Sequence, residues 1–152
     1  MKKSYLILIS FILLILIIVF LVVTNNQTFY LDDEYYNNSD LQEIESKELK
    51  ILENDKKTFV VYVYQPFCST SDDLDNYLTD FIGTYKITFY KILFSNIKDT
   101  TINKYVKYCP SVVLYYKGKI VSYLDASLSK DADYYKSTEN FKKWFTRYVI
   151  LK

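Results

Sequence analysis

After an unbroken apolar start, the hydrophobic positions of this chain switch between a period of two and a period near 3.6. Tyr5–Val23 is apolar at nearly every position, with Ser10 the one clearly polar residue. Such a run is long enough to cross a bilayer and exceeds the roughly 7–15-residue core of a signal peptide. Asn25–Asp40 is polar and reads as a linker. From Leu41 to Asn54 the apolar residues Leu41, Ile44, Leu49, Ile51 and Leu52 stand among alternating charges, a helical pattern. Within it Ser46 offers a cap for a second, shorter helix, and Lys50–Leu52 also fits a strand. Thr58–Tyr64 predicts a buried strand, and Asp72–Thr84 a helix with Leu74, Tyr77, Leu78, Phe81 and Ile82 on one face and Gly83 near its end. Ile87–Phe94 predicts a second strand. Thr100–Tyr108 predicts a short helix, with Ile102, Tyr105 and Val106 inward, stopped by Pro110. Ser111–Tyr116 and Lys119–Leu124 predict strands joined by a hairpin turn at Lys117-Gly118. Asp125–Lys136 is polar and loop-like. Ser137 then caps a closing helix with Phe141, Trp144, Phe145, Tyr148 and Val149 on its apolar side.

The order β-α-β-α-β-β-α turns on one junction. The first strand stops at Pro66, Phe67 and Cys68 follow, and Ser-Thr-Ser-Asp-Asp opens the next helix. A thiol delivered there lies near backbone N–H groups and the positive end of the helix dipole, both of which favour thiolate. Cys68 is therefore the candidate nucleophile, and the Ser71 hydroxyl can donate a hydrogen bond to it. Asp72 and Asp73 suit the helix start but oppose a thiolate beside them.

Composition narrows the chemistry further. The chain of 152 residues has no histidine, which removes Ser-His-Asp and Cys-His catalysis and every histidine-based metal site. Two cysteines fall short of the three or four ligands zinc normally takes, so no metal is expected. Two glycines cannot build a phosphate-cradling loop, so no cofactor is expected either. Tyr is 17 of 152 in a chain poor in Gly, Pro, Ala and Arg, the pattern of an AT-rich coding sequence, so the tyrosines need no functional explanation. Lys2 and Lys3 precede the apolar run while Asp32, Asp33 and Glu34 follow it. The positive-inside rule then keeps the N-terminus in the cytoplasm and places the remainder outside. No small-x-small cleavage site follows the run, so residues 1–24 read as an uncleaved transmembrane anchor, 25–40 as the linker and 41–152 as the working domain. Lys2 and Lys3 are the only charges within residues 1–23; without them 17 basic face 18 acidic residues, no case for nucleic acid.

Taken in order, these motifs resemble the thioredoxin superfamily. Val60–Tyr64 followed by Gln-Pro-Phe-Cys resembles the family's strand and its x-Pro-Trp-Cys segment. Tyr108-Cys109-Pro110-Ser111-Val112-Val113-Leu114-Tyr115 resembles the segment with the cis-proline and its following strand, and Lys117-Gly118-Lys119-Ile120-Val121 the hairpin after it. The 42 residues from Cys68 to Pro110 suit the family. The resemblance implies an α/β thioredoxin-like fold, a central mixed sheet flanked by helices, here preceded by one N-terminal transmembrane helix. With its anchor, the chain is also similar to bacteriocin-transport accessory proteins of Gram-positive bacteria. It departs from the family in four places. Ser71 holds the resolving position of Cys-x-x-Cys, Phe67 replaces tryptophan, Tyr62 stands where many members bury an acid, and Cys109 precedes the proline.

In the family the cis-proline loop packs against the active-site cysteine, so the resemblance implies that Cys109 faces Cys68. A Cys68–Cys109 disulfide is then expected in place of the missing pair. Three readings stay open: a redox-active bridge with Cys68 attacking and Cys109 resolving, a structural staple, and two independent thiols. The resemblance further implies a peptide site around Pro110, Phe67 and Pro66. The leading reading is thiol–disulfide exchange on exported polypeptides, although whether the chain is an enzyme stays open. Its rivals are a non-catalytic binding module of a secretion or bacteriocin system, meeting a membrane partner protein, and an immunity-type interaction protein that borrowed the fold.

Overall fold

The computed structural model describes residues 9, 11–15, 28–67 and 69–152. Most of Tyr5–Val23 lies outside the described residues, and no helix among the described ones is long and apolar enough to cross a membrane. Among them, five strands form one sheet in the order β1-β3-β2-β4-β5. They are β1 (Asp40–Glu43), β2 (Val60–Tyr64), β3 (Thr88–Leu93), β4 (Ser111–Tyr116) and β5 (Lys119–Asp125). β1 and β2 both run parallel to β3, and β4 runs antiparallel to β2 and β5. Three helices complete the domain: α1 (Ser46–Asn54), α2 (Ser69–Tyr85) and α3 (Thr138–Phe145). The mixed sheet with flanking helices is the expected fold class.

The helix expected over Leu41–Asn54 is two elements. Asp40–Glu43 is an edge strand, with Leu41 beside Phe89 of β3. Four residues with two exposed leave too short an alternation to read from sequence. The shorter helix does form, but Glu45 caps it rather than Ser46. Glu45 and Glu48 make a reciprocal capping box, while the Ser46 hydroxyl donates to the Asn96 carbonyl at 2.5 Å. The alternative strand at Lys50–Leu52 is thereby excluded. Gly83 does not end α2. Lys86 takes the left-handed conformation at φ 50°, and the Ile87 N–H closes onto the Ile82 carbonyl at 3.3 Å, a Schellman motif. Lys56, at φ 55°, ends α1 the same way, with Lys57 N–H on Leu52 O at 3.0 Å. The helix expected over Thr100–Tyr108 shrinks to a 3-10 turn, Thr101–Lys104; Ile102 and Val106 are buried but Tyr105 is exposed. The loop before α3 contains a further 3-10 turn, Ala132–Tyr135, and Ser137 caps α3 by accepting from Asn140 N–H at 3.2 Å.

The hairpin turn falls where expected. Lys117 and Gly118 both have positive φ, 51° and 74°, as a type I′ turn requires. Gly118 is also fixed by contact: a Cβ there would stand 2.2 Å from the Glu53 carbonyl oxygen, and its N–H donates to Lys57 O at 2.7 Å. The stretch 25–40 is not all linker. Leu31, Tyr35 and Tyr36 are core residues. The Tyr36 hydroxyl accepts from Leu31 N–H at 3.0 Å and donates to the Ile150 carbonyl at 2.8 Å. Phe29 bridges to Val149 in parallel and packs on Tyr116, which ties both ends of the domain to the pole where β4 turns into β5. β2 runs away from that pole and β4 returns to it, so the loops after β2 and before β4 meet at the opposite pole.

Candidate functional site

Two loops build the site. The first continues β2: Tyr64 is still in the ladder opposite Leu93, and Gln65, Pro66 and Phe67 then leave the sheet exposed. Phe67 adopts φ 60°, left-handed backbone that a bulky residue rarely takes, and its side chain is wholly exposed. Cys68 lies outside the described residues, and so do the expected Cys68–Cys109 bridge and the surroundings of its sulfur. α2 begins at Ser69, earlier than the expected Asp72, which places Ser71 in the first turn of the helix.

The second loop precedes β4. The Cys109–Pro110 peptide is cis, as the resemblance implied. Pro110 is buried and Cys109 half-buried. Two hydroxyls hold this loop: Ser111 Oγ donates to the Tyr108 carbonyl at 2.8 Å, and Tyr135 OH donates to the Pro110 carbonyl at 3.0 Å. Burial pushes the Tyr135 phenol well above its usual range, and the carboxylates of Asp125 and Asp131 add to this. The phenol therefore stays a donor. The loops touch where Cys109 Sγ donates to Gln65 Oε1 at 3.3 Å.

Beneath the site Tyr62 is fully buried, and its ring stacks on Tyr64 with centroids 5.9 Å apart. The Tyr64 hydroxyl donates to Glu43 at 2.7 Å, and burial, followed by that bond, pushes its pKa up to about 12. A buried phenol thus stands at the position where, on the resemblance, many members bury an acid. Among the described residues no three His, Cys, Asp or Glu side chains are grouped to hold a metal ion.

Of the expected site residues, Pro66, Phe67, Cys109 and Pro110 share this pole. Three contributors went unnoticed in the sequence. Gln65 was visible as the residue opening Gln-Pro-Phe-Cys. Ser111 was part of the cis-proline segment. Tyr135 had no signal, since it reaches Pro110 from 25 residues away.

The thioredoxin family profile matches residues 41–135. The chain belongs to the thioredoxin family. A thioredoxin from Malassezia sympodialis, Mala s 13, superposes on it with a TM-score of 0.56 at 13% identity, over 74% of this chain and 93% of that one. Thioredoxin O1 from Arabidopsis thaliana in its oxidised state gives 0.52 at 13% identity, over 73% of this chain and 98% of that one. At such identity these likenesses speak for the thioredoxin fold alone. No curated protein matches this thioredoxin-family chain.

Proposed function

We propose that this thioredoxin-family chain is a membrane-anchored, extracytoplasmic protein that exchanges thiols and disulfides with exported polypeptides. The observation that carries the reading is the reach of Cys109 across the site. Its sulfur bonds to Gln65, three residues before Cys68. A second thiol so close to the segment that bears the first supports Cys68 and Cys109 as a working pair in place of Cys-x-x-Cys. In this reading the Cys68 thiolate attacks a substrate disulfide, forms a mixed disulfide and releases one substrate thiolate. Cys109 then loses its proton, attacks Cys68 Sγ and displaces the second substrate thiolate, which takes up a proton. Two electrons pass to the substrate and the protein is left with a Cys68–Cys109 bridge. Ser71 supports the Cys68 thiolate, while Pro66, Phe67 and the backbone around Pro110 hold the extended peptide. The apolar run Tyr5–Val23 and its flanking charges support the anchor and its orientation.

The test is a free-thiol count on the full chain in detergent, titrated through redox buffers. Both thiols should vanish together as one two-electron couple, between about −270 and −120 mV, the span of known oxidoreductases. Two thiols that survive oxidising conditions sink the pairing. A midpoint below about −300 mV makes the bridge a staple. That outcome belongs to the second reading, a non-catalytic binding module of a secretion or bacteriocin system, which the buried Tyr62 in the acid's place favours.

A further inference from the structure

We infer that Gln65 is a positioning residue that holds Cys109 in its thiol form. Gln65 directly follows Tyr64, the last ladder residue of β2. Cys109 sits in a loop whose carbonyls are held at Tyr108 and Pro110 by Ser111 and Tyr135. The 3.3 Å contact joins this held loop to the end of β2. The direction of the bond matters. An amide oxygen only accepts, so the contact exists only while the sulfur carries its proton. Deprotonation would leave a thiolate facing a carbonyl dipole end-on. A hydrogen bond made by the neutral form alone favours that form.

For Cys68 the sequence alone implies the opposite bias. Cys68 immediately precedes α2, where backbone N–H groups and the helix dipole favour thiolate. Biases of opposite sign on the two thiols would fix their order in the proposed exchange. Cys68 attacks first. Cys109 is withheld as a thiol until the mixed disulfide exists; its sulfur then bonds to Cys68 Sγ, the substrate sulfur leaves as thiolate, and the Cys109 proton passes to that thiolate. Only this ordering rests on the redox reading; the effect of Gln65 on the Cys109 thiol does not.

The titratable groups around the loop are Lys107 and Tyr108 beside it in sequence, and Tyr135 on the Pro110 carbonyl with Asp125 and Asp131 behind it. Nearest in sequence to the facing loop are Cys68, Asp72 and Asp73. All but Cys68 are retained in the test. In the full chain carrying Cys68→Ser, Cys109 is the sole thiol, and Gln65→Ala and Gln65→Glu are compared with the parent. Gln65 is exposed, and circular dichroism confirms that each variant is folded. Two readouts are taken: the pH profile of alkylation by iodoacetamide, and the S–H stretch in the infrared. Gln65→Ala should raise the alkylation rate at neutral pH about threefold and move the S–H band up towards that of a free thiol. Gln65→Glu, which keeps an acceptor oxygen, should hold the band low and slow alkylation. A rate that falls in Gln65→Ala would show the amide N–H donating to sulfur, and an unmoved S–H band would show no bond; either overturns the inference. If these shifts appear while the redox titration finds no bridge, the inference stands and the exchange reading fails.

Discussion

Phe81, Phe89, Phe141 and Phe145 have no exposed area, whereas Phe67 is 104% exposed and Tyr108 60%. The first group lies between α2, β3 and α3, with Phe81 edge-on to Phe141 at 5.0 Å and to Phe145 at 5.1 Å. The second stands at the far pole, on the two loops of the site. Residue type does not separate them; what the backbone does with each ring does. The buried rings project from regular elements onto one another, and each contributes about 1.5–3 kcal/mol by leaving water. Phe67 is turned outward by a left-handed φ of 60°, so the fold gains nothing from its ring. Apolar area withheld from the core beside a cis-proline loop is available to a partner.

The largest effect should come from breaking the buried side of this contrast. Phe81→Ala removes a ring that meets Tyr85, Phe89, Phe141 and Phe145. The cavity and the lost transfer energy together should cost about 3–5 kcal/mol in denaturant unfolding followed by Trp144 fluorescence. A loss below about 1 kcal/mol would mean that the cluster collapses freely and is no packed core.

Alkali should come next, because it acts on several buried phenols at once. Burial holds Tyr35, Tyr115 and Tyr135 above the usual tyrosine range, and Tyr64 is pushed up to about 12. In the unfolded chain these groups ionise near 10. Between about pH 10 and 12 the unfolded state therefore binds fewer protons than the folded one, and stability falls as pH rises; below pH 10 these groups contribute no slope. Melting temperature against pH, with tyrosinate absorbance, should show ionisation and unfolding advancing together. Ionisation of these phenols in a still-folded protein would contradict the burial.

The same contrast explains what the sequence disclosed. The Phe81 and Phe145 faces were legible because long helices and strands repeat a period, and the hairpin because Lys117-Gly118 carries its own turn chemistry. Asp40–Glu43 was hidden because a four-residue edge strand with two exposed positions has no period to detect. Tyr35 and Tyr36 fit either packing on the domain or lying at the membrane interface from sequence alone, since what buries them is Ile87, Tyr90 and the chain end rather than their neighbours in sequence. At the site, the cis-proline segment was readable as a motif. The Gln65–Cys109 and Tyr135–Pro110 bonds were not, because each joins residues that only the sheet brings together.

Tyr135→Phe sharpens the comparison from the other side. It keeps the ring and deletes only the hydroxyl on the Pro110 carbonyl. One part-buried hydrogen bond at the loop pole should cost about 1 kcal/mol, well under the loss of a buried ring, and alkylation of Cys109 should change as the loop relaxes. Equal loss of stability in Tyr135→Phe and Phe81→Ala would erase the distinction between pole and core.

Phe67→Ala should have the smallest effect on stability, within about 0.5 kcal/mol, because a wholly exposed side chain leaves no cavity. Replacing a left-handed phenylalanine by alanine does not relieve the backbone either, since alanine also carries a Cβ. If the ring serves a partner, the loss must appear elsewhere. With an unfolded, disulfide-bonded polypeptide as substrate, KM should rise about fivefold with little change in kcat, as expected for an apolar anchor that binds ground and transition states alike. A small-molecule disulfide, which offers no polypeptide for the ring to hold, should react equally well with both proteins. If both substrates are affected alike, Phe67 acts by shaping the turn that carries Cys68, and its exposure is a by-product of that turn; if only the polypeptide is affected, the exposed ring is the reason the turn is built this way.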